Sequence, residues 1–233
     1  MPTGAKAAVV LLSGGIDSAA ACAVAGAEGF SVRALTVSYG QRHACELRAA
    51  RAVAASLGVA EHKILALDLA SFGGSSLTGS GPVPKDRDEA ARASGIPSTY
   101  VPGRNTVFLS LALAWAEAIQ AHDIFLGVHA LDASGYPDCR PEYVRAFERL
   151  ANLATREGVE GRPFRIRAPF ASWNKAAIIR RGAELGLDFS LTHSCYDPAE
   201  DGLACGRCDA CRIRRRAFAE AGLEDPVPYP KGT

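Results

Sequence analysis

The chain has 233 residues, 48% of them apolar and 22% charged, and a formal net charge of +1. A chain of this size and composition buries a core of its own, as one domain or one domain with a small appendage. The near-neutral charge excludes an overall electrostatic footprint for stable nucleic-acid binding.

Residues 7–12 form a short apolar run that reads as a buried first strand. It is too short for a signal-peptide core or a membrane span, so a cytoplasmic protein with no membrane partner is expected. Residues 18–28 read as an alanine-rich helix, 31–37 as a strand, and 46–57 as a helix ending at Gly58. Residues 62–67 read as a strand. Residues 68–103, rich in Gly, Ser and Pro, read as a long excursion. A helix is expected over 106–121 with Asn105 as its cap, then a buried strand over 123–127. A helix over 142–157, a strand over 164–168 and a helix over 175–185 follow. Beyond Leu187 the pattern turns to cysteines, glycines and arginines.

Alternating strands and helices with connections of this length imply parallel pairing and right-handed crossovers. The expected fold is α/β: a doubly wound, mostly parallel sheet of about five strands with a four-cysteine, zinc-binding C-terminal segment. The division falls between residues 1–187 and 188–233. Ligands of such folds bind at the carboxyl ends of the strands.

The first strand runs into Leu12-Ser13-Gly14-Gly15-Ile16-Asp17-Ser18. The two glycines permit a sharp turn and close approach to a ligand. The free N–H groups and dipole of the following helix suit a pyrophosphate. No Gly-Lys-Ser/Thr follows, so this is not a Walker loop, and G-x-G-x-x-G is absent. Asp17 is a carboxylate at an anion site. Either it orients a bridging Mg²⁺, which reverses the repulsion, or it caps the helix.

The seven cysteines are an odd number in a reducing compartment, which favours metal binding or free thiols over a disulfide framework. Cys205, Cys208 and Cys211 form two overlapping C-x-x-C pairs, and Cys195 lies ten residues upstream. Four thiolates match a closed, structural zinc site. An iron–sulfur cluster uses four cysteines as well and remains open. Cys22, Cys45 and Cys139 read as small apolar residues. Arg212, Arg214, Arg215 and Arg216 read as a solvated helix face, the alternative being a basic stripe for nucleic acid.

The loop resembles the Ser-Gly-Gly-x-Asp-Ser signature of PP-loop ATP pyrophosphatases. Further stretches narrow the resemblance: Tyr39-Gly40-Gln41-Arg42-His43, Val101-Pro102-Gly103-Arg104-Asn105, the run from Ser134 through Tyr136, Pro137, Asp138, Cys139 and Arg140 to Glu142, and Ser194-Cys195-Tyr196. With the cysteine run they are similar to the 7-cyano-7-deazaguanine synthase family, over about residues 7–216.

The resemblance implies a C–N ligase that converts 7-carboxy-7-deazaguanine, ammonia and two ATP into the 7-cyano base. It also implies use in queuosine biosynthesis and a homodimer. Leu12, Ser13, Gly14, Gly15, Ile16, Asp17 and Ser18 would hold ATP, with Mg²⁺, and Asp17, Ser18, Lys175 and Arg104 would serve catalysis. Asp132, Tyr136, Asp138 and Arg140 would read the deazaguanine. Cys195, Cys205, Cys208 and Cys211 would hold zinc. His129, Ala133 and His193 depart from the family pattern, in which an asparagine, an aromatic residue and a tryptophan stand. A relative that stops at the amide, a PP-loop enzyme for another acceptor, and a zinc-ribbon nucleic-acid binder remain as alternatives.

Overall fold

A computed structural model describes residues 5–41, 45–88, 95–230 and 232. Five parallel strands form one sheet: β1 (Ala7–Leu11), β2 (Ser31–Ser38), β3 (Glu61–Ala66), β4 (Asp123–Phe125) and β5 (Arg165–Arg167). Their order is β3-β2-β1-β4-β5. The chain winds outward from β1 to β3 and then returns to β1's other side for β4 and β5. The strand order therefore reverses between β1 and β4, where an open parallel sheet leaves a crevice at its carboxyl edge.

Both faces of the sheet are covered, as the continuous apolar strands require. Val9 and Leu11 join one core with Leu35, Val37, Leu109, Leu113 and Ile124. Ala8, Val10 and Leu12 join the other with Ala34, Phe125, Ile178 and Ile179. The period-2 alternation of β1 thus assigns its side chains to two cores, both nearly sealed from water. Helix α1 (Ile16–Ala27) supplies alanines at 19, 20, 21 and 25 to the second core, all 0% exposed. Small side chains let this helix lie close on the sheet. The edge strand β3 is mostly exposed and carries Glu61 and Lys63, charges that discourage edge-to-edge pairing.

Helix α2 is Cys45–Ser56 and α3 is Arg104–Ala118. Asn105 is not the cap of α3. Gly103, in the left-handed region at φ 64°, holds that position. Asn105 lies inside the first turn, where its amide donates to the Asp138 carbonyl at 3.0 Å. The excursion 68–103 contains only a short helical turn at Ala70–Phe72 among its described residues. A six-residue helix α4 (Ala130–Gly135) follows β4.

The helix expected over 142–157 is divided. Helix α5 (Pro141–Ala154) ends at Thr155, whose extended backbone and side chain cap α6 (Arg156–Val159). Proline at the first position suits a helix start, having no N–H to lose. Helices α7 (Lys175–Glu184) and α8 (Asp209–Ala221) complete the fold. No helix among the described residues is long and apolar enough to cross a membrane.

The arginine run is not a uniformly solvated face. Arg214 is 2% exposed. It donates to Asp225 at 3.0 Å, to the Thr192 hydroxyl at 2.8 Å and to the Phe189 carbonyl at 3.1 Å. Tyr229 also donates to Asp225, at 2.7 Å. This buried guanidinium ties α8 to the segment before it and to the C-terminal strap. Breaking such a pair strands the remaining charge. Arg214→Met is therefore expected to lower unfolding free energy by about 3–5 kcal/mol in urea denaturation. A loss below about 1 kcal/mol contradicts this role.

Candidate functional site

The β1–α1 turn lies at the reversal point of the strand order. Ser13 donates its N–H to the Ser18 hydroxyl at 3.1 Å, and the Ser18 hydroxyl donates to the Gly15 carbonyl at 3.0 Å. The two serine hydroxyls are 2.9 Å apart. These bonds close the loop into a cradle ahead of the first helical turn, whose N–H groups have no partners within the helix.

The two glycines do different work. Gly14 has φ 88°, and a Cβ there would lie 2.6 Å from the Ala50 nitrogen and the Glu46 carbonyl on α2. It is a packing glycine, and its carbonyl accepts the His193 N–H at 2.9 Å. Gly15, at φ −79°, is the helix N-cap and faces the cavity. A third glycine completes the arrangement. At Gly127, just past β4, a Cβ would lie 2.6 Å from the Ser18 nitrogen. The start of α1 rests directly on this backbone.

A cavity of about 750 Å³ opens in front of the cradle. Leu12, Ser13, Gly15, Ile16, Asp17 and Ser18 line it, as do Arg104, Asp132, Tyr136 and Lys175. Asp138 and Arg140 do not line it. The Asp138 carboxylate is buried and accepts the Asn105 N–H at 2.9 Å, so it holds the start of α3. Arg140 is exposed, at the N-cap of α5. The sequence placed both in a polar loop but not on which wall of it they stand.

Lys175 is the first residue of α7, positioned by Asn174, whose side chain accepts the Ala177 N–H at 2.8 Å. Its ammonium pairs with Asp17 Oδ2. Asp17, in the first turn of α1, is thus a cavity carboxylate and not an N-cap. Its Oδ1 is buried and has no hydrogen-bond partner among the described residues. His129, 1% exposed, sits 3.8 Å from Asp17 Oδ2 and 3.4 Å from Asp132 Oδ2. The ligand atoms of Asp17, His129 and Asp132 all lie within 4.8 Å of one another. Burial pushes the Asp132 carboxyl above the usual range, His129 pulls it back, and Asp17 pushes it up again. An orphaned carboxylate oxygen in this crowd fits a hard cation.

Part of the cavity lining is aromatic. Tyr39, Phe108, Tyr136 and Tyr196 line it. Arg104 donates to the Tyr39 hydroxyl at 3.5 Å. Tyr136 meets the Thr99 hydroxyl at 3.1 Å. Gln41 lines the cavity and accepts the Tyr39 N–H at 2.7 Å, whereas Arg42 and His43 lie outside the described residues. Cys139 is a lining residue too, in keeping with its place in a polar stretch and not with a plain apolar filler. Sequence reasoning also missed Glu46, at the start of α2. Its signal was weak, since nothing in the helical pattern over 46–57 marks which first-turn residue faces the crevice.

The four cysteines of the C-terminal segment come together, with sulfur atoms all within 4.8 Å of one another. Cys208 and Cys211 are 3.5 Å apart and Cys205 and Cys211 4.0 Å. A tetrahedral zinc tetrathiolate spaces its sulfurs about 3.8 Å apart, whereas a disulfide needs about 2 Å. The Cys205 N–H donates to Cys195 Sγ at 3.2 Å and the Cys208 N–H to Cys205 Sγ at 3.3 Å, as anionic sulfurs favour. The set fits a metal ion. The same segment grips the excursion. Lys85 bridges to Cys208 in backbone pairing and to Asp197 at 2.7 Å, Arg207 pairs with Asp86, and Arg87 pairs with Asp209. Tyr196, Arg87 and Asp209 all reach the cavity.

A parallel sheet, a glycine cradle at its switch point and a lysine-paired aspartate in the first helical turn define an α/β fold of the PP-loop class. A solved structure titled NMN synthetase, from Francisella tularensis, superimposes with a TM-score of 0.51 at 15% identity, covering 94% of this chain and 79% of that one. That likeness shows the fold alone. The chain belongs to the family described as "Queuosine biosynthesis protein QueC", whose model matches residues 7–222. Relatives named 7-cyano-7-deazaguanine synthase match over nearly their whole length. The one from Anaeromyxobacter dehalogenans is 59% identical, covering 97% of each chain. The one from Paramagnetospirillum magneticum is 58% identical, covering 96% of this chain and 99% of its own.

Replacing one thiolate leaves the metal three ligands. Cys208→Ser is expected to lower bound metal, read by elemental analysis, and to cost several kcal/mol of stability. Unchanged metal content and melting would show that the cluster binds no structural ion.

Proposed function

We propose that this chain forms 7-cyano-7-deazaguanine from 7-carboxy-7-deazaguanine and ammonia, at the cost of two ATP, for queuosine biosynthesis. The observation that carries the reading is the Asp17–Lys175 pair at the mouth of the glycine cradle, facing one continuous cavity. The similarity to the named relatives supports the choice of acceptor.

The chemistry has two rounds. A carboxylate oxygen is a poor leaving group, so the acceptor carboxylate attacks the α-phosphorus of ATP and pyrophosphate departs. Ammonia adds to the acyl carbon, loses a proton and expels AMP, leaving the amide. The amide oxygen attacks a second ATP, releasing a second pyrophosphate. Loss of that AMP and two protons forms the C≡N bond.

In each round charge builds on phosphate oxygens, so positioning and preorganised electrostatics supply most of the catalysis. The Ser13–Ser18 cradle directs its N–H and hydroxyl donors at the departing pyrophosphate. Lys175, held by Asp17 and by its own helix, offers a fixed cation to the phosphates. Asp17, with Asp132 beside it, offers oxygen ligands for Mg²⁺. Bound there, Mg²⁺ would neutralise the β- and γ-phosphates. Arg104 serves the acceptor end, and Tyr136 offers a ring face to the base.

In this reading residues 1–187 form the ATP-binding unit. Residues 188–233 form a zinc-bearing segment that shapes the cavity wall from Tyr196 to Asp209. The zinc is structural, since four thiolates leave no open position for catalysis. The enzyme works in the cytoplasm, as a homodimer.

The test is product analysis. With Mg-ATP, ammonium and 7-carboxy-7-deazaguanine, mass spectrometry is expected to show AMP, pyrophosphate and the nitrile. AMP with the amide alone limits the enzyme to the first round, and release of ADP contradicts the reading. Asp17→Ala is expected to reduce turnover at least 100-fold, roughly the loss of one electrostatic contact to the transition state, without unfolding.

A further inference from the structure

Five carboxylates line the cavity: Asp17, Glu46, Asp132, Asp209 and Glu220. Four are engaged. Asp17 pairs with Lys175, Asp132 with His129, Asp209 with Arg87 and Glu220 with Arg216. Among the described residues, the Glu46 side chain makes no ion pair and no hydrogen bond. It stands in the first turn of α2, half-buried, with its backbone fixed against Gly14.

Its surroundings are specific. Burial pushes the Glu46 carboxyl up, and the nearby charge of Arg104 pulls it back. The Tyr39 hydroxyl, also raised to about 12, feels burial first and then Glu46. Tyr39 and Glu46 line the same stretch of cavity wall, and Arg104 donates to the Tyr39 hydroxyl at 3.5 Å, so an acceptor-only carboxylate and a donor-only guanidinium are gathered around one tyrosine.

We infer that Glu46, together with Arg104, forms the subsite that reads the six-membered ring of the acceptor, and that it selects a guanine-like edge. This rests on the proposed acceptor and sharpens it. A guanine-like ring presents two adjacent donors, the ring N–H and the exocyclic amine, next to a carbonyl acceptor. A carboxylate takes both donors in bidentate fashion, and a neighbouring guanidinium donates to the carbonyl. An adenine edge places a ring-nitrogen acceptor where Glu46 is also an acceptor, leaving both unpaired. The pair thus keeps the adenine of ATP out of the acceptor's place. Asp132, in the crowd around Lys175, has a different task at the phosphate end.

The experiment compares kcat/KM, from AMP release, for 7-carboxy-7-deazaguanine and its 2-deamino counterpart. The wild type is expected to favour the amine-bearing acceptor about 10- to 100-fold, the scale of one good bidentate base contact. Glu46→Gln is expected to erase that preference while its Kd for ATP stays within about twofold, since the substitution leaves unchanged the Glu46 backbone that packs on Gly14. Asp132→Asn is expected to turn over more slowly yet keep the preference.

A Glu46→Gln enzyme that still discriminates, or a wild type that never did, overturns the subsite but leaves the reaction standing. A wild type that releases no AMP with either acceptor overturns the reaction and the subsite together. Should Glu46→Gln not fold, a crystal structure of the wild type with 7-carboxy-7-deazaguanine decides. An exocyclic amine within hydrogen-bond distance of Glu46 supports the inference, and an amine anywhere else overturns it.

Discussion

The start of α1 sits on bare backbone at Gly127, and everything at the site is measured from that contact. A methyl group there would lie 2.6 Å from the Ser18 nitrogen. The cradle is thus pressed to the carboxyl edge at the place where strand order reverses, with Gly14 packed equally hard against α2 on its other side. Held between two glycines, the loop has little freedom to adjust. Its donors are aimed before any ligand arrives, which is the condition for electrostatic preorganisation.

Distant segments converge on this fixed point. Lys175 reaches Asp17 across 158 residues of sequence. His193 donates to the Gly14 carbonyl, and two residues later Cys195 enters the four-cysteine cluster. The cluster is therefore not a remote staple. It fixes Tyr196 on one side, Asp209 on the other, and through Lys85 and Arg87 the excursion, whose Arg87 and Pro97 line the cavity. A short segment with little core of its own holds this position through the four-cysteine cluster, which fits a metal ion, and the buried Arg214–Asp225 pair.

Much of this was legible in the sequence, and the reasons are physical. The apolar run of β1 and the alanines of α1 announce a buried parallel unit. The Ser-Gly-Gly-Ile-Asp-Ser loop and the cysteine spacing are local patterns whose chemistry survives without tertiary knowledge. Lys175 came to notice only through the family resemblance, and the fold places it on the cavity wall, paired with Asp17. What failed was orientation. Asp138 and Arg140 sit in the expected loop but do not line the cavity: the Asp138 carboxylate is spent on the α3 backbone, and Arg140 is exposed. Arg214 looks like its solvated neighbours, yet the fold buries it. Glu46 looks like any first-turn acid, and only the approach of Arg104 and Tyr39, 58 residues later and seven residues earlier, makes it an unusual one. His129, unexpected in the sequence, is a buried neighbour of two carboxylates.

The central claim is that the backbone between Ser13 and Ser18 grips the phosphates that ATP loses. The most direct measurement is a crystal structure with Mg²⁺ and an ATP analogue that resists cleavage between its α- and β-phosphorus atoms. The β- and γ-phosphates are predicted within hydrogen-bond reach of the N–H groups of that loop, with Lys175 beside them. Phosphates bound elsewhere in the cavity, with the loop empty, would contradict the account.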